Sequence, residues 1–274
     1  MEEHRLGAGG MKAEELEVFV RGWAIPPSRS DWDRRSTGLR DLGPSDWSVV
    51  FDCETTTDTS QRLRVGSYQV RDGPNLWEQG FFYDPDALTP AEILVLRDHA
   101  TTSGCRMMTR SEFVDDVLLH YGWELSGWVI GFNLRFDISR IAIGHAKSRT
   151  RRASMRGAFS FTVADDPTRP TIQVRPAGAK SAFYRFAVPA RRSAEQRNRD
   201  AGGDVATSPG YFVDVATLAK ALTSETWRLG ELAEELDTVT RKLGVDDFGA
   251  ELTPGFLDYA MADCQVTWEC FEIL

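Results

Sequence analysis

Asp52 and Glu54 stand two residues apart in VVFDCETT, a short apolar, β-branched run that reads as a buried strand ending in carboxylates and threonines. That spacing on a strand projects both side chains from one face, with Cys53 turned to the other. Two anions held together at the end of a central strand need a counter-charge, because unpaired buried charge is costly to keep ionised. Two further pairs share this quality. Asn133 and Asp137 in IGFNLRFDISRI lie four apart where a strand hands over to a helix, and Tyr259 and Asp263 in LDYAMADCQVTW lie four apart on the last helix. A four-residue step on a helix returns to the same face. Each pair also has an ordinary structural reading: surface acids on a strand, an Asn cap followed by a first-turn Asp facing the helix dipole, or a half-buried Tyr hydrogen-bonded to a nearby Asp.

Taken together and in order, FDCETT, GFNLRFDISRI and YAMAD resemble the three exonuclease motifs of the DEDD (DnaQ-like) superfamily. They look most like the proofreading exonuclease domain of family B DNA polymerases. The resemblance runs from about Trp47 to Leu274 and implies an RNase H-like fold, with Asp52, Glu54, Asp137 and Asp263 as ligands of two divalent ions, Mg²⁺ or Mn²⁺. Hard divalent ions select oxygen ligands, and two of them can activate a water and stabilise a leaving 3′ oxygen. Four converging carboxylates would otherwise repel one another.

In that superfamily a His or Tyr ahead of the last Asp orients the attacking water. Here the residue is Tyr259, and none of the four histidines lies near Asp263 in sequence. The implied activity is 3′-to-5′ exonucleolytic hydrolysis, with single-stranded DNA favoured over RNA. An exoribonuclease, or a non-catalytic nucleic-acid-binding module keeping the fold, is the alternative. Asn133, Phe136, Thr55 and Arg135 are the expected substrate contacts. Arg135 and Arg140 flank Asp137 and could meet a phosphate or simply form surface ion pairs. Phe132 and Phe136 could stack on bases or belong to the core. Asp214, in YFVDVATLAKAL, is at most a supporting residue behind the site.

The elements that must position these residues can be read from pattern. WSVVFDCETT, LRVGSYQVRDG and LWEQGFFYD have strand composition, the last two separated by the Asp72-Gly73-Pro74 turn, and predict three antiparallel strands. AEILVLRDHA is helical in spacing, and Thr109 with Glu112 forms a capping box for SEFVDDVLLHYG. GWVIGFN predicts a strand, and LRFDISRIAIGHAK a helix. Residues 148–210 carry short β-like pieces among Arg, Pro, Gly and Ser and read as a basic β-hairpin insertion. YFVDVATLAKAL predicts strand then helix, ETWRLGELAEELDTVTRKLG a helix closed by Gly244, and Thr253 to Leu274 the last one. The expected architecture is a single α/β domain over residues 46–274, with a mixed five-stranded sheet flanked by helices. Residues 1–45 form an N-terminal extension in which only Glu14 to Trp23 suggests an element.

A net charge of −9 would argue against a nucleic-acid partner if it were evenly spread. It is not. Between Arg140 and Asp200, 14 Lys or Arg stand against four acids, leaving −19 on the rest of the chain. A basic segment on an acidic body suits a protein that meets phosphates with one surface and binds cations elsewhere; a solvated loop is the alternative. The four cysteines form no CxxC pair and lie in or beside apolar runs, so neither zinc nor disulfides are expected. With no secretory leader and no long apolar run, the expected compartment is the cytoplasm, without a membrane partner. No Tyr-Gly-Asp-Thr-Asp doublet of a polymerase palm is present, which leaves a stand-alone nuclease or part of a longer polymerase-like or repair protein.

Overall fold

The computed structural model describes residues 43–148, 155–178, 181–187, 189, 210–244 and 251–274. The possible element between Glu14 and Trp23, and the arginines from Arg191 to Arg199, lie outside them.

Strand β1 (Trp47–Thr55) is the axis of the main sheet. It pairs antiparallel with β2 (Leu63–Asp72), which pairs antiparallel with β3 (Asn75–Tyr83), as the three strand patterns predict. Helix α1 (Pro90–Ser103) starts on a Thr89–Glu92 capping box and ends at Gly104 in the left-handed conformation. The Thr109–Glu112 capping box forms as expected and opens α2, one α-turn at Arg110–Glu112 continued with wider π-type spacing over Phe113–Glu124. Next come β5 (Trp128–Gly131), α3 (Leu134–Ile141), the antiparallel strands β6 (Gly144–Lys147), β7 (Phe159–Thr162), β8 (Ile172–Pro176) and β9 (Ala182–Phe186), then β10 (Tyr211–Asp214), α4 (Val215–Thr223), α5 (Leu229–Glu235) and α6 (Pro254–Ile273).

With the short strand β4 (Arg106–Thr109), the described residues form a mixed α/β structure with a six-stranded sheet in the order β10-β5-β1-β2-β3-β4 and a second, four-stranded antiparallel sheet β6-β7-β8-β9. Four expectations are corrected. The main sheet has six strands rather than five, because Arg106–Thr109 (β4) adds parallel to β3. Four residues are too few to show a period of two. Among the described residues the inserted region supplies three strands, β7 to β9, which join β6 in a four-stranded sheet rather than forming a hairpin. Helix α3 stops at Ile141, Ala142 turns extended, and Gly144–Lys147 becomes β6, so the helical reading of IAIGHAK does not hold. The helix expected to reach Gly244 likewise stops at Glu235. Asp237 adopts a positive φ of 51° ahead of the β-branched run Thr238-Val239-Thr240, and the Thr238 hydroxyl donates to the Ala233 carbonyl.

Alternation along β1 explains where the site lies. Val49, Phe51 and Cys53 face a core made with α2, α3 and the second sheet, including Phe113, Ile138, Ile172 and Phe186. Val50 faces the opposite core, with Ile130, Val215, Leu232, Val266 and Trp268 from β5 and helices α4 to α6. Asp52 and Glu54 follow Val50 in phase and so turn toward α6. Helix α6 is pinned there by Ser67, opposite Asp52 on β2. Its hydroxyl donates to the Ala260 carbonyl (2.7 Å), and the Cys264 thiol donates to the Ser67 carbonyl (3.3 Å).

Gly66, opposite Cys53, has no room for a side chain: a Cβ there would stand 2.1 Å from Phe82 Cζ. Phe82 is fully buried and stacked on Phe113 with centroids 3.9 Å apart. Gly66→Ala is therefore expected to destabilise the fold by about 3 kcal/mol, the upper end for overpacking, as read from a urea unfolding midpoint. A loss below roughly 0.5 kcal/mol would mean the ring gives way freely.

Candidate metal-binding and catalytic cleft

A cleft of ≈ 410 Å³ opens at the C-terminal ends of β1 and β5, with Asp52, Glu54, Asp137, Tyr259 and Asp263 in its wall. One carboxylate oxygen each from Asp52, Glu54 and Asp263 lies within 4.8 Å of the other two. Asp137 comes from the opposite layer, on the first turn of α3. Its Oδ1 accepts from the Cys53 backbone N–H (3.2 Å), which holds it against β1 between the two other acids. Asn133 is the residue before α3, in the left-handed region that Asn tolerates (φ 68°), and its side chain caps nothing. It lines the cleft with Phe132, Arg135 and Phe136.

Concentrating these acids has an electrostatic consequence. Burial, then Asp263, pushes Asp52 up to about 7, while Lys242 opposes the shift. Burial, then Asp52 and Asp263, pushes Glu54 up to about 8. Burial raises Asp137 well above the usual carboxylate range, with Asp52 adding to it, and burial also raises Asp263 against the pull of Lys242. The Tyr259 phenol is raised by burial and by Asp263, so it stays neutral and keeps its proton for hydrogen bonding. Among the described residues, Asp137 Oδ2 and Asp263 Oδ1 are buried oxygens without a protein partner. Both atoms border an all-oxygen donor set, which is what Mg²⁺ or Mn²⁺ requires. The residues present fit such ions.

Pattern reading missed Lys242. Its ammonium forms an ion pair with Asp263 Oδ2, donates to the Tyr259 hydroxyl (3.1 Å) and sits 4.6 Å from the centre of the Tyr259 ring. It reaches the cleft because α5 stops early. The chain after it is anchored to α6 where Glu269 accepts from the Thr240 N–H (2.8 Å) and hydroxyl (2.7 Å). Trp227, Arg228 and Leu229 complete that wall.

Not every residue singled out from sequence lines the cleft. Thr55 follows a register shift at the end of β1 and does not line the cleft. Arg140 is engaged structurally: its guanidinium lies over the Phe136 ring (4.8 Å) and donates to the Ser60 carbonyl (3.4 Å). Arg135 does line the cleft, with its Nε donating to Asn133 Oδ1 (3.2 Å). Phe136 is partly exposed there rather than core. Asp214 is the N-cap of α4. It accepts from Thr217 N–H (3.1 Å), Asn133 N–H (3.4 Å) and Tyr184 hydroxyl (2.7 Å), and so locks the start of α3 from behind.

All four cysteines are free thiols. Among the described residues no helix is long and apolar enough to cross a membrane. Compared with known proteins, the chain matches no protein-family model and no curated protein.

The raised carboxyls make stability depend on pH in a set direction. The folded protein keeps protons on Asp52 and Glu54 up to about 7 and 8, whereas an unfolded chain releases them near ~4. Between those limits the folded form binds more protons, so stability is present at the acid end and is lost as pH rises through 7 and 8. With a chelator present, the melting temperature is expected to fall by about 5 °C or more between pH 5.5 and pH 8.5. A melting temperature that rises over this interval would contradict the clustering of charge.

Proposed function

We propose that this chain is a metal-dependent 3′-to-5′ exonuclease acting on single-stranded nucleic acid, with DNA preferred over RNA, and that its main sheet and helices form an RNase H-like domain. The observation that carries the reading is the meeting of Asp52, Glu54 and Asp263 within 4.8 Å, with Asp137 fixed beside them and Tyr259 in the same wall. Residues from the first strand, the helix after β5 and the last helix are joined there. These are the elements that carry the three motifs resembling those of DEDD exonucleases.

Asp52, Glu54, Asp137 and Asp263 would hold two divalent ions, Mg²⁺ or Mn²⁺. Such ions supply an activated water and charge stabilisation at the leaving oxygen. Tyr259, kept neutral, offers its hydroxyl to orient a water over the carboxylates. Asn133 and Arg135 give the cleft polar and cationic groups for the terminal phosphates, and Phe132 and Phe136 give it aromatic surface for bases. The backbone bond from Cys53 and the Asp214 clamp fix Asp137 and Asn133 relative to β1, so positioning precedes any ligand.

The test is digestion of end-labelled single-stranded DNA and RNA with Mg²⁺, with Mn²⁺ and with EDTA. Stepwise shortening from the 3′ end that EDTA abolishes is expected, with DNA cut faster. Shortening that survives EDTA, or none on either polymer with either ion, would sink the reading. Faster digestion of RNA would reassign the substrate and keep the chemistry.

A further inference from the structure

Lys242 lines the cleft and has no part in the chemistry proposed above. Its ammonium is bound to Asp263 Oδ2, and Asp263 is one of the three residues whose carboxylate oxygens meet within 4.8 Å. A protein amine and a divalent ion at that carboxylate would have to share the same charge. The Asp263 carboxylate is almost fully buried, while the Lys242 side chain is about one-third exposed, so the lysine is the partner with somewhere to go. Its backbone is anchored two residues earlier by the Glu269–Thr240 bonds, and its ammonium lies over the Tyr259 ring. The main chain can stay in place while four methylenes swing the charge outward.

We propose that Lys242 is a resident counter-ion, which neutralises Asp263 until divalent ions enter the cleft and is displaced from that carboxylate by them. The inference rests on the metal-binding reading above and assigns Lys242 the role of setting how much divalent ion the site demands. Removing the ammonium takes away a competitor for Asp263 and makes the local potential more negative. Both effects favour a cation.

Isothermal titration of Mg²⁺ and Mn²⁺ into chelator-treated protein tests this without reference to activity. Lys242→Met and Lys242→Gln are expected to bind the ions about tenfold more tightly than wild type, and Lys242→Arg, which keeps the charge, to bind much as wild type does. Binding unchanged or weakened in both uncharged variants would overturn the exchange. The wild-type protein gives a second measurement that needs no variant to fold. Mg²⁺ should speed acetylation of Lys242 Nζ by an amine-reactive ester, followed by peptide mass spectrometry, because the ion pair is released. A rate that Mg²⁺ leaves unchanged or slows would overturn it too. A wild type that binds neither ion would remove the metal reading and the exchange together, whereas one that binds them while the uncharged variants gain nothing removes the exchange alone.

Discussion

Asp52→Asn is expected to reduce hydrolysis by at least about 10³-fold while making the chelator-treated protein more stable at pH 8. The two effects have one cause. The Asp52 carboxyl is held up to about 7 by burial and by Asp263, and it in turn raises Glu54 and Asp137. At pH 8 its charge therefore works against the fold, and a neutral amide of the same shape relieves that repulsion. The same charge is one of the three converging on the proposed ion position. On the proposed reading its loss removes an ion ligand, and a thousandfold loss corresponds to roughly 4 kcal/mol of transition-state stabilisation. Single-turnover digestion and a melting curve, on one preparation, check both halves. Activity within about tenfold of wild type would detach Asp52 from the chemistry, and a lower melting temperature would mean that its carboxylate stabilises the fold.

What could be read from sequence was what local periodicity encodes. Asp52 and Glu54 share a face because strands alternate, and VVF before them gives the phase; Tyr259 and Asp263 share one because helices return after four residues. Thr109 and Glu112 marked a helix start that the structure keeps. The losses came where tertiary contacts override local pattern. The apolar residues Ile141 and Ile143 fit one helix on paper, but Ile143 N–H donates to the Thr162 carbonyl and the chain enters a second sheet instead. Lys242 was invisible for a related reason. In an unbroken helix from Glu225 to Gly244 it reads as one more charge on a solvated face, and only the stop at Glu235 and the Glu269–Thr240 anchor carry it to Asp263. A lysine has no local signature of its distant partner. Arg140 had two readings from its place beside Asp137, a phosphate contact or surface ion pairing, and its guanidinium lies over Phe136 and donates to loop carbonyls, partners that sequence spacing does not show.

Tyr259→Phe separates chemistry from ion binding in a way no carboxylate substitution can. The ring should keep its place, since it is buried on α6 and packs 6.0 Å from Phe256 centroid to centroid, so the change deletes only the hydroxyl. That hydroxyl accepts from Lys242 and shares a hydrogen bond with Asp263, and burial together with Asp263 keeps it protonated at any working pH. A neutral phenol is a poor ligand for Mg²⁺ and a good hydrogen-bond partner for a water, so it should contribute to the reaction step far more than to ion affinity. The expected result is a fall in kcat of about 10²-fold, within the range for one positioned polar group, and an ion affinity within about threefold of wild type. Stopped-flow single-turnover rates and calorimetric titration of Mg²⁺ measure the two independently. If affinity drops as far as the rate, the hydroxyl acts by holding Asp263 in place for the ions, and the water-orienting role passes from Tyr259 to another group in the cleft.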